Sequence, residues 1–304
     1  MDTDDVELEE RMKSYEKTFD VKTVPYKPYV VRLDGRSFSK YTEGLRKPFD
    51  NLFECAMINT MNDLVVEFCA STGYTHSDEI TLIFPAACTL EEYNTKTNKS
   101  IHLYEGRVMK ICTVMAGYCS SKFNYHINRL IDYGNNRVHY KNEMIEKIRS
   151  HNACFDCRLI DFPENKLTDI VNLLIWRSVR DSYRNSVFAY GKKYFTHQQL
   201  ENKNSDQILT MLKEEKNLDW NDVPIFHKHG VYSKKEWYKK EVEINGVMQE
   251  VPRQRICNKS FVIKYSEKMY ELLMSKHWAS DNLDSYETVF YNVSCSSDGT
   301  IKLF

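Results

Sequence analysis

Residues 29–38 run Tyr29-Val30-Val31-Arg32-Leu33-Asp34-Gly35-Arg36-Ser37-Phe38. The β-rich run from Tyr29 to Leu33, ended by Asp34-Gly35, predicts a strand followed by a turn. Downstream, Phe53, Met57, Met61, Leu64, Val65 and Phe68 recur at helical spacing, with Asp50 placed behind Pro48 to cap the first turn. Gly73-Tyr74-Thr75-His76, the polar corner Ser77-Asp78-Glu79 and the run Ile80-Thr81-Leu82-Ile83-Phe84 read as a hairpin with a short first strand. A second long helix is expected from about Arg107 through Ile111, Val114, Met115, Tyr118 and Cys119, and a further strand from Phe155 to Phe162, closed by Pro163. Strand, helix, hairpin, helix, strand is the order of a ferredoxin-like βαββαβ layer, so the expected class is α+β.

Past Pro163 the texture turns helical. Leu167, Ile170, Val171, Leu174 and Val179 form one apolar stripe, while Arg177, Arg180 and Arg184 line another face. The plain reading of those arginines is a solvated basic face. From Ile225 to Lys264 there are nine Lys/Arg against four Glu, with Tyr232, Trp237 and Tyr238 interleaved among Lys234, Lys235, Lys239 and Lys240. Bases neutralise phosphates and aromatic faces stack on nucleobases, so this mixture suits a nucleic acid. A charged surface hairpin turning at Asn245-Gly246 is the competing reading. The expected divisions are 1–163 for the βαββαβ layer, 164–224 for a helical region, and 225–304 for a basic hairpin and C-terminal extension, packed as one unit. After Lys276, Trp278, Tyr286, Phe290 and Tyr291 mark a packed extension without a recognisable motif.

Composition bounds these readings. The chain has 304 residues, 42% hydrophobic and 28% charged, with only 10 Gly and 7 Pro, which is a globular profile and excludes a disordered or collagen-like chain. With 42 basic against 43 acidic residues, the total announces neither nucleic acid nor membrane, so any such partner must be read from local patches. The start, MDTDDVELEER, is acidic and lacks the basic opening of a secretory signal, and no apolar stretch approaches the roughly 18 residues of a membrane span. A cytoplasmic protein is expected. Nine cysteines, an odd number lying mostly within apolar runs, point to reduced, buried thiols. Cys154 and Cys157 are read as two strand residues on one face rather than as a zinc or redox pair, because no second ligand pair lies near them.

Two acids stand where strands end. Asp34 closes the first strand and Asp78 sits in the hairpin corner, and a βαββ layer places the first strand beside the hairpin. Close carboxylates repel unless a cation lies between them, and hard oxygen ligands select Mg²⁺ or Mn²⁺. Such a site serves in-line phosphoryl displacement. The Gly35 carbonyl is placed to complete a ligand set. In the loop Arg36-Ser37-Phe38, backbone N–H groups can cradle a triphosphate, with Lys47 and Asp50 just downstream and Lys110 on the second helix as a further phosphate contact. Taken singly, an Asp-Gly turn, a Ser-Asp-Glu corner or a surface lysine is usually unremarkable, and the joint occurrence in this element order carries the reading.

Leu33-Asp34-Gly35-Arg36-Ser37-Phe38, Lys47-Pro48-Phe49-Asp50, Ser77-Asp78-Glu79, Phe155-Asp156-Cys157-Arg158, and Trp176-Arg177 with Asp181 together resemble, in order, the motifs of the tRNAHis guanylyltransferase superfamily. The matching motifs extend from about Arg11 to about Gly230. Tyr183-Arg184-Asn185-Ser186 and Asp219-Trp220-Asn221-Asp222-Val223-Pro224 resemble its guanylyltransferase-like branch, whose members act as template-dependent 3′-5′ RNA polymerases in tRNA 5′-end repair. The eukaryotic tRNAHis enzymes carry His-Ile-Asn-Asn where this chain has Tyr183-Arg184-Asn185-Ser186, a departure that weighs against a dedicated tRNAHis role.

The resemblance implies a polymerase-like palm in which Asp34, the Gly35 carbonyl and Asp78 hold two Mg²⁺, with Glu79 assisting. It implies a nucleoside triphosphate, ATP or GTP among them, cradled by Gly35, Arg36, Ser37 and Phe38 with Lys47, Asp50 and Ser77, and a Lys110 contact to a second triphosphate or the tRNA 5′ end. For tRNA the candidates are Arg158, Arg177, Arg180, Arg184, Lys234, Lys235, Lys239 and Lys240. A homotetramer, built as a dimer of dimers, is expected by the same resemblance. The expected activity is templated 5′-end nucleotide addition after activation with ATP. The alternatives are a G−1-adding tRNAHis guanylyltransferase and a non-catalytic RNA-binding module with a vestigial palm. A nucleotidyl cyclase on the same palm has no need of a basic, aromatic-rich segment.

Overall fold

A computed structural model describes residues 3–244, 247–279 and 283–304. The Asn245-Gly246 turn expected from the sequence lies outside the described residues. The expected βαββαβ layer is present: β1 (Tyr29–Gly35), the Asn51–Glu67 helix, β2 (Thr72–His76), β3 (Glu79–Phe84), the Val108–Asp132 helix and β4 (Phe155–Asp161). A hairpin of β5 (Val231–Ile244) and β6 (Val247–Ser260) follows, then β7 (Tyr291–Cys295) and β8 (Ile301–Leu303). All eight join one sheet in the order β4-β1-β3-β2-β5-β6-β7-β8, with antiparallel neighbours throughout. The sheet therefore runs without a break across the boundaries expected at 163 and 225.

Alternation along β1 sends neighbouring side chains to opposite faces. Val31 and Leu33 join a core with Met57, Met61, Leu64 and Phe123 from the two long helices. Val30 faces the other way, with Tyr74, Ile83 and Tyr232, under Ile170, Val171 and Leu174 of the Asp169–Ile175 helix and Met269 and Leu273 of the Glu267–Met274 helix. Burying both faces requires the mostly apolar runs that β1 and β3 display. A third cluster ties Val187 and Tyr190 to Ile208 and Leu212.

Two local backbone features shape the fold. The segments Asp169–Ile175 and Ser182–Tyr194 are joined by a wider π-helical turn, Trp176–Asp181, a device that re-aims side chains and often accompanies function. At the far edge, Gly299 sits at φ +81°, and a Cβ there would stand 2.1 Å from Leu52 Cδ2. Only glycine lets the β7-β8 turn close onto the long helix, where its carbonyl accepts from Cys55 Sγ at 3.3 Å.

Candidate active site

The pairing register sets a row of polar side chains across one end of the sheet. Asp34 lies opposite Asp156 on β4 and Glu79 on β3, and Glu79 lies opposite His76 on β2. One step inward the row reads Arg158, Arg32, Thr81 and Tyr74. All of them share the face of Val30 because side chains alternate with a period of two. Facing carboxylates repel, and guanidinium groups answer part of that charge. Arg32 donates from Nη2 to Asp34 Oδ2 at 2.9 Å and from Nε to Glu79 Oε2 at 3.2 Å. Arg177 Nη1 stands 3.4 Å from the same Glu79 oxygen and donates to Asp181 Oδ2 at 3.2 Å.

Asp78 has no ion-pair partner among the described residues. It occupies the two-residue turn between β2 and β3, where Ser77 adopts a left-handed φ of 54°. Gly35 N–H donates to the Asp78 carbonyl at 3.1 Å, which fastens the end of β1 to the turn, and Ser77 Oγ donates to Asp78 Oδ1 at 3.1 Å. Burial first, and then the charge of nearby Asp34, push the Asp78 carboxyl up to about 6. Two hard carboxylates with part of their charge unmet fit a divalent cation. The donor set is two side chains and a backbone carbonyl, and no metal-holding cluster of three or more His, Cys, Asp or Glu occurs among the described residues.

Beside this edge opens a cleft of about 430 Å³ whose lining includes Lys47, His76, Ser77, Asn185, Phe188 and Lys192. His76 Nε2 meets the His227 carbonyl at 2.9 Å, Tyr190 OH meets His227 Nδ1 at 2.9 Å, and Phe49 stacks on the His227 ring at 4.5 Å. Arg46, Lys47 and Lys192 outnumber Asp50 and Glu54 in the lining, and with the Ser77 hydroxyl they suit a polyphosphate. Ser77 links the two halves, since it lines the cleft and holds Asp78. A larger cleft of about 480 Å³ lies between the hairpin and the Glu267–Met274 helix, and its lining, with Glu236, Glu271, Trp237, Trp278 and His277, has no Lys or Arg.

Several expected roles change. Asp50 lines the cleft but is buried, and its carboxylate accepts from Leu52 N, Phe53 N, Arg46 N and Tyr140 OH, so its four donors make it a helix cap. The loop cradle is half occupied, because Gly35 N–H serves Asp78 and Arg36 N–H serves the Cys154 carbonyl at 2.8 Å; Phe38 packs its ring under Gly35. Lys110 lies in the first turn of its helix, which is fastened to Val21 and Thr23 ahead of β1, at the end of the sheet opposite Asp34. Glu79 is spanned by Arg32 and Arg177, and Arg177 is buried among acids rather than offered to RNA.

Lys234 is fully buried, not on an RNA-facing surface: its Nζ donates to Ser71 O, Thr72 Oγ1, Leu272 O and Ser275 O. Lys239 pairs with Glu250 at 2.6 Å and Arg255 with Glu236 at 2.8 Å, so part of the hairpin's basic charge is met within it, with seven Lys/Arg against four Glu over 231–260. Lys235 is half-buried beside Trp278, while Lys240, Arg158, Arg180 and Arg184 are exposed. Cys154 precedes β4 and is exposed, whereas Cys157 lies within the strand against Cys112, so the two do not share a face. The sequence reading missed Arg32, Asn185 as a cleft residue, and Lys192. Arg32 was legible, since a charged residue two places before Asp34 in a strand must share its face.

This geometry has known counterparts. A family model described as tRNAHis guanylyltransferase (Thg1) matches residues 9–163. An uncharacterized protein of Acanthamoeba polyphaga mimivirus is 35% identical over 287 residues, which is 94% of this chain and 95% of that one. A probable tRNA(His) guanylyltransferase of Dictyostelium discoideum is 26% identical over 213 residues, 66% of this chain and 72% of that one. A solved bacterial tRNA(His) guanylyltransferase-like protein in complex with ATP matches with a TM-score of 0.61 and 27% identity, over 80% of this chain and 91% of that one. A bacterial one in complex with GTP matches at 0.56 and 25%, over 82% and 90%. Carboxylates at the ends of β1 and in the β2-β3 turn of a palm layer, a phosphate-suited cleft and these relatives together make the chain a nucleotidyltransferase belonging to the tRNA(His) guanylyltransferase (Thg1) family.

Proposed function

We propose that this nucleotidyltransferase adds nucleotides in the 3′-5′ direction to the 5′ end of truncated tRNA, choosing each by pairing with the opposite strand. The observation that carries the reading is the junction at Ser77, which joins the Asp34-Asp78 pair to the Lys47-Lys192 cleft. A 5′-monophosphate is a poor electrophile, so its oxygen first attacks the α-phosphorus of ATP, releasing pyrophosphate and leaving an adenylylated 5′ end. The 3′-hydroxyl of the incoming nucleotide then attacks the 5′ phosphorus, and AMP departs. Asp34, Asp78 and the Gly35 carbonyl would hold two Mg²⁺, which when bound acidify the attacking hydroxyl and stabilise the leaving oxygen. Lys47, Lys192 and Ser77 hold the triphosphate, and Arg32 fixes the Asp34 carboxylate against Glu79. Arg158, Arg180 and Arg184 lie on the exposed rim as tRNA contacts, and a tetramer, as a dimer of dimers, is part of the proposal.

G−1 addition to tRNAHis is the second reading, favoured by the Dictyostelium relative. The test offers the protein Mg²⁺, ATP and all four nucleoside triphosphates with a 5′-truncated tRNA or a 5′-monophosphorylated tRNAHis, and follows 5′ extension. Template-matched extension of the truncated tRNA is expected, lost in Asp34→Ala and in Asp78→Ala. Extension that ignores the opposite base removes the templated reading, and activity retained in both variants removes the metal assignment.

A further inference from the structure

Trp176 is exposed and clamped at once. It opens the π-helical turn on the sheet face that carries Asp34 and Glu79, yet its large apolar side chain is 51% exposed. It is also held still. The Arg177 guanidinium lies 4.3 Å from its ring centroid, and that guanidinium is fixed in turn by Glu79 at 3.4 Å and Asp181 at 3.2 Å. Glu79 shares Arg32 with Asp34. An indole of this kind is coupled to the catalytic carboxylate through two guanidiniums, with one ring face covered and the remainder open to solvent. Core packing does not explain an aromatic ring left outside, and a flexible surface residue has no such clamp.

We propose that Trp176 is a stacking shelf for a nucleobase, and that the base it takes is the one at the 5′ end of the bound RNA, in the terminal base pair. This rests on the reading of the protein as a 5′-end nucleotidyltransferase. The choice between reactants follows from position. The nucleoside triphosphate has the Lys47-Lys192 cleft, whose lining from this helical stretch begins at Asn185 and does not include Trp176. The shelf lies in the turn that meets Glu79, before that lining begins, so it serves the other reactant. Arg180 and Arg184 follow Trp176 at steps of four, which suits one nucleobase and successive phosphates; both are exposed, and Arg184 is steadied by Asp181 at 2.7 Å. Aromatic faces accept any base, so the shelf holds the end of the duplex without reading its sequence and leaves selection to pairing.

The experiment needs no turnover. A short acceptor-stem RNA hairpin carrying 2-aminopurine as its 5′-terminal paired nucleotide is titrated with protein in the absence of nucleoside triphosphates, and its fluorescence is followed. Wild-type protein and Trp176→Phe should change the emission on binding; Trp176→Ala should lose that change and bind about ten-fold or more weakly. In steady-state extension, Trp176→Ala should raise KM for RNA while KM for the nucleoside triphosphate holds. Equal affinity and equal emission change in Trp176→Ala overturn the shelf, as does an effect confined to the triphosphate KM. Asp34→Ala, dead in extension, should keep the emission change. The shelf and the proposed reaction thus fail separately: emission change without any extension removes the reaction alone, and templated extension with an unresponsive probe removes the shelf alone.

Discussion

Lys234 shows how much one side chain can hold in this fold. Burial pulls its amine down from the ordinary lysine range, yet four oxygens surround Nζ and a neutral amine would turn a lone pair toward one of them. We therefore assign an ammonium caged by oxygens, and it satisfies carbonyls at the C-terminal end of the Glu267–Met274 helix. Lys234→Met should lower stability by about 3 kcal/mol, read as a lower urea midpoint, because it leaves those carbonyls buried without a donor. A change below about 0.5 kcal/mol would contradict the cage. Histidines give a second test. Burial holds His76 down to about 4, and burial lowers His102 and His229 as well. Each stays neutral in the fold while the unfolded chain takes up a proton below about pH 6.5, so stability falls as pH falls, by up to about 1.4 kcal/mol per unit for each group. Asp78, raised to about 6, acts oppositely between its unfolded value and that point, but it is one group against three. With a chelator present, the urea midpoint should be lower at about pH 5.5 than at about pH 7.5, and an equal or higher value would refute the assignment. Composition showed that these charges exist; only three-dimensional placement shows which are enclosed, because a lysine inside and a lysine outside read alike in a strand of alternating residues.

Elements were more legible than their ends. The strand from Tyr29, the helix after Asp50, the hairpin at Ser77-Asp78 and the strand from Phe155 all follow from local patterns, because periodicity and turn chemistry act over a few residues. Arg177 was not legible in the same way: a stripe of arginines on a helix says nothing of the acids that a π-turn brings beneath one of them. Asp50 carries the element-scale prediction. It receives four donors, so Asp50→Ala should cost about 2–4 kcal/mol, beyond an ordinary exposed N-cap. Tyr140→Phe removes one of those donors and should cost about 1 kcal/mol. If both variants keep wild-type stability but lose nucleotide affinity, the carboxylate touches the nucleotide after all.

On the scale of the whole molecule, β5 starts beside Thr75, close to the carboxylate edge, and leads away from it. From Glu236 outward its long ladder with β6 projects about 30 Å on the far side. The hairpin of one chain thus points away from that chain's own Asp34. Replacing residues 237–254 by a tight turn removes the exposed Lys240 and Arg253, so it should leave extension of a short acceptor-stem hairpin unchanged while weakening full-length tRNA binding and reducing its salt dependence. Equal losses on both substrates would place the hairpin at the reaction centre instead. The same sheet stores something else in its pairing. Asp34, Glu79 and His76 meet in one row only because Ser77 and Asp78 make a turn of fixed length and β1 is fastened to it through Gly35. Slide β1 by one residue and Leu33 takes the place of Asp34, while the carboxylate passes to the apolar face. Such a molecule would keep its helices, its size and most of its spectroscopic signature, and it would be inert. Register is thus a property to which turnover is sensitive and circular dichroism is nearly blind.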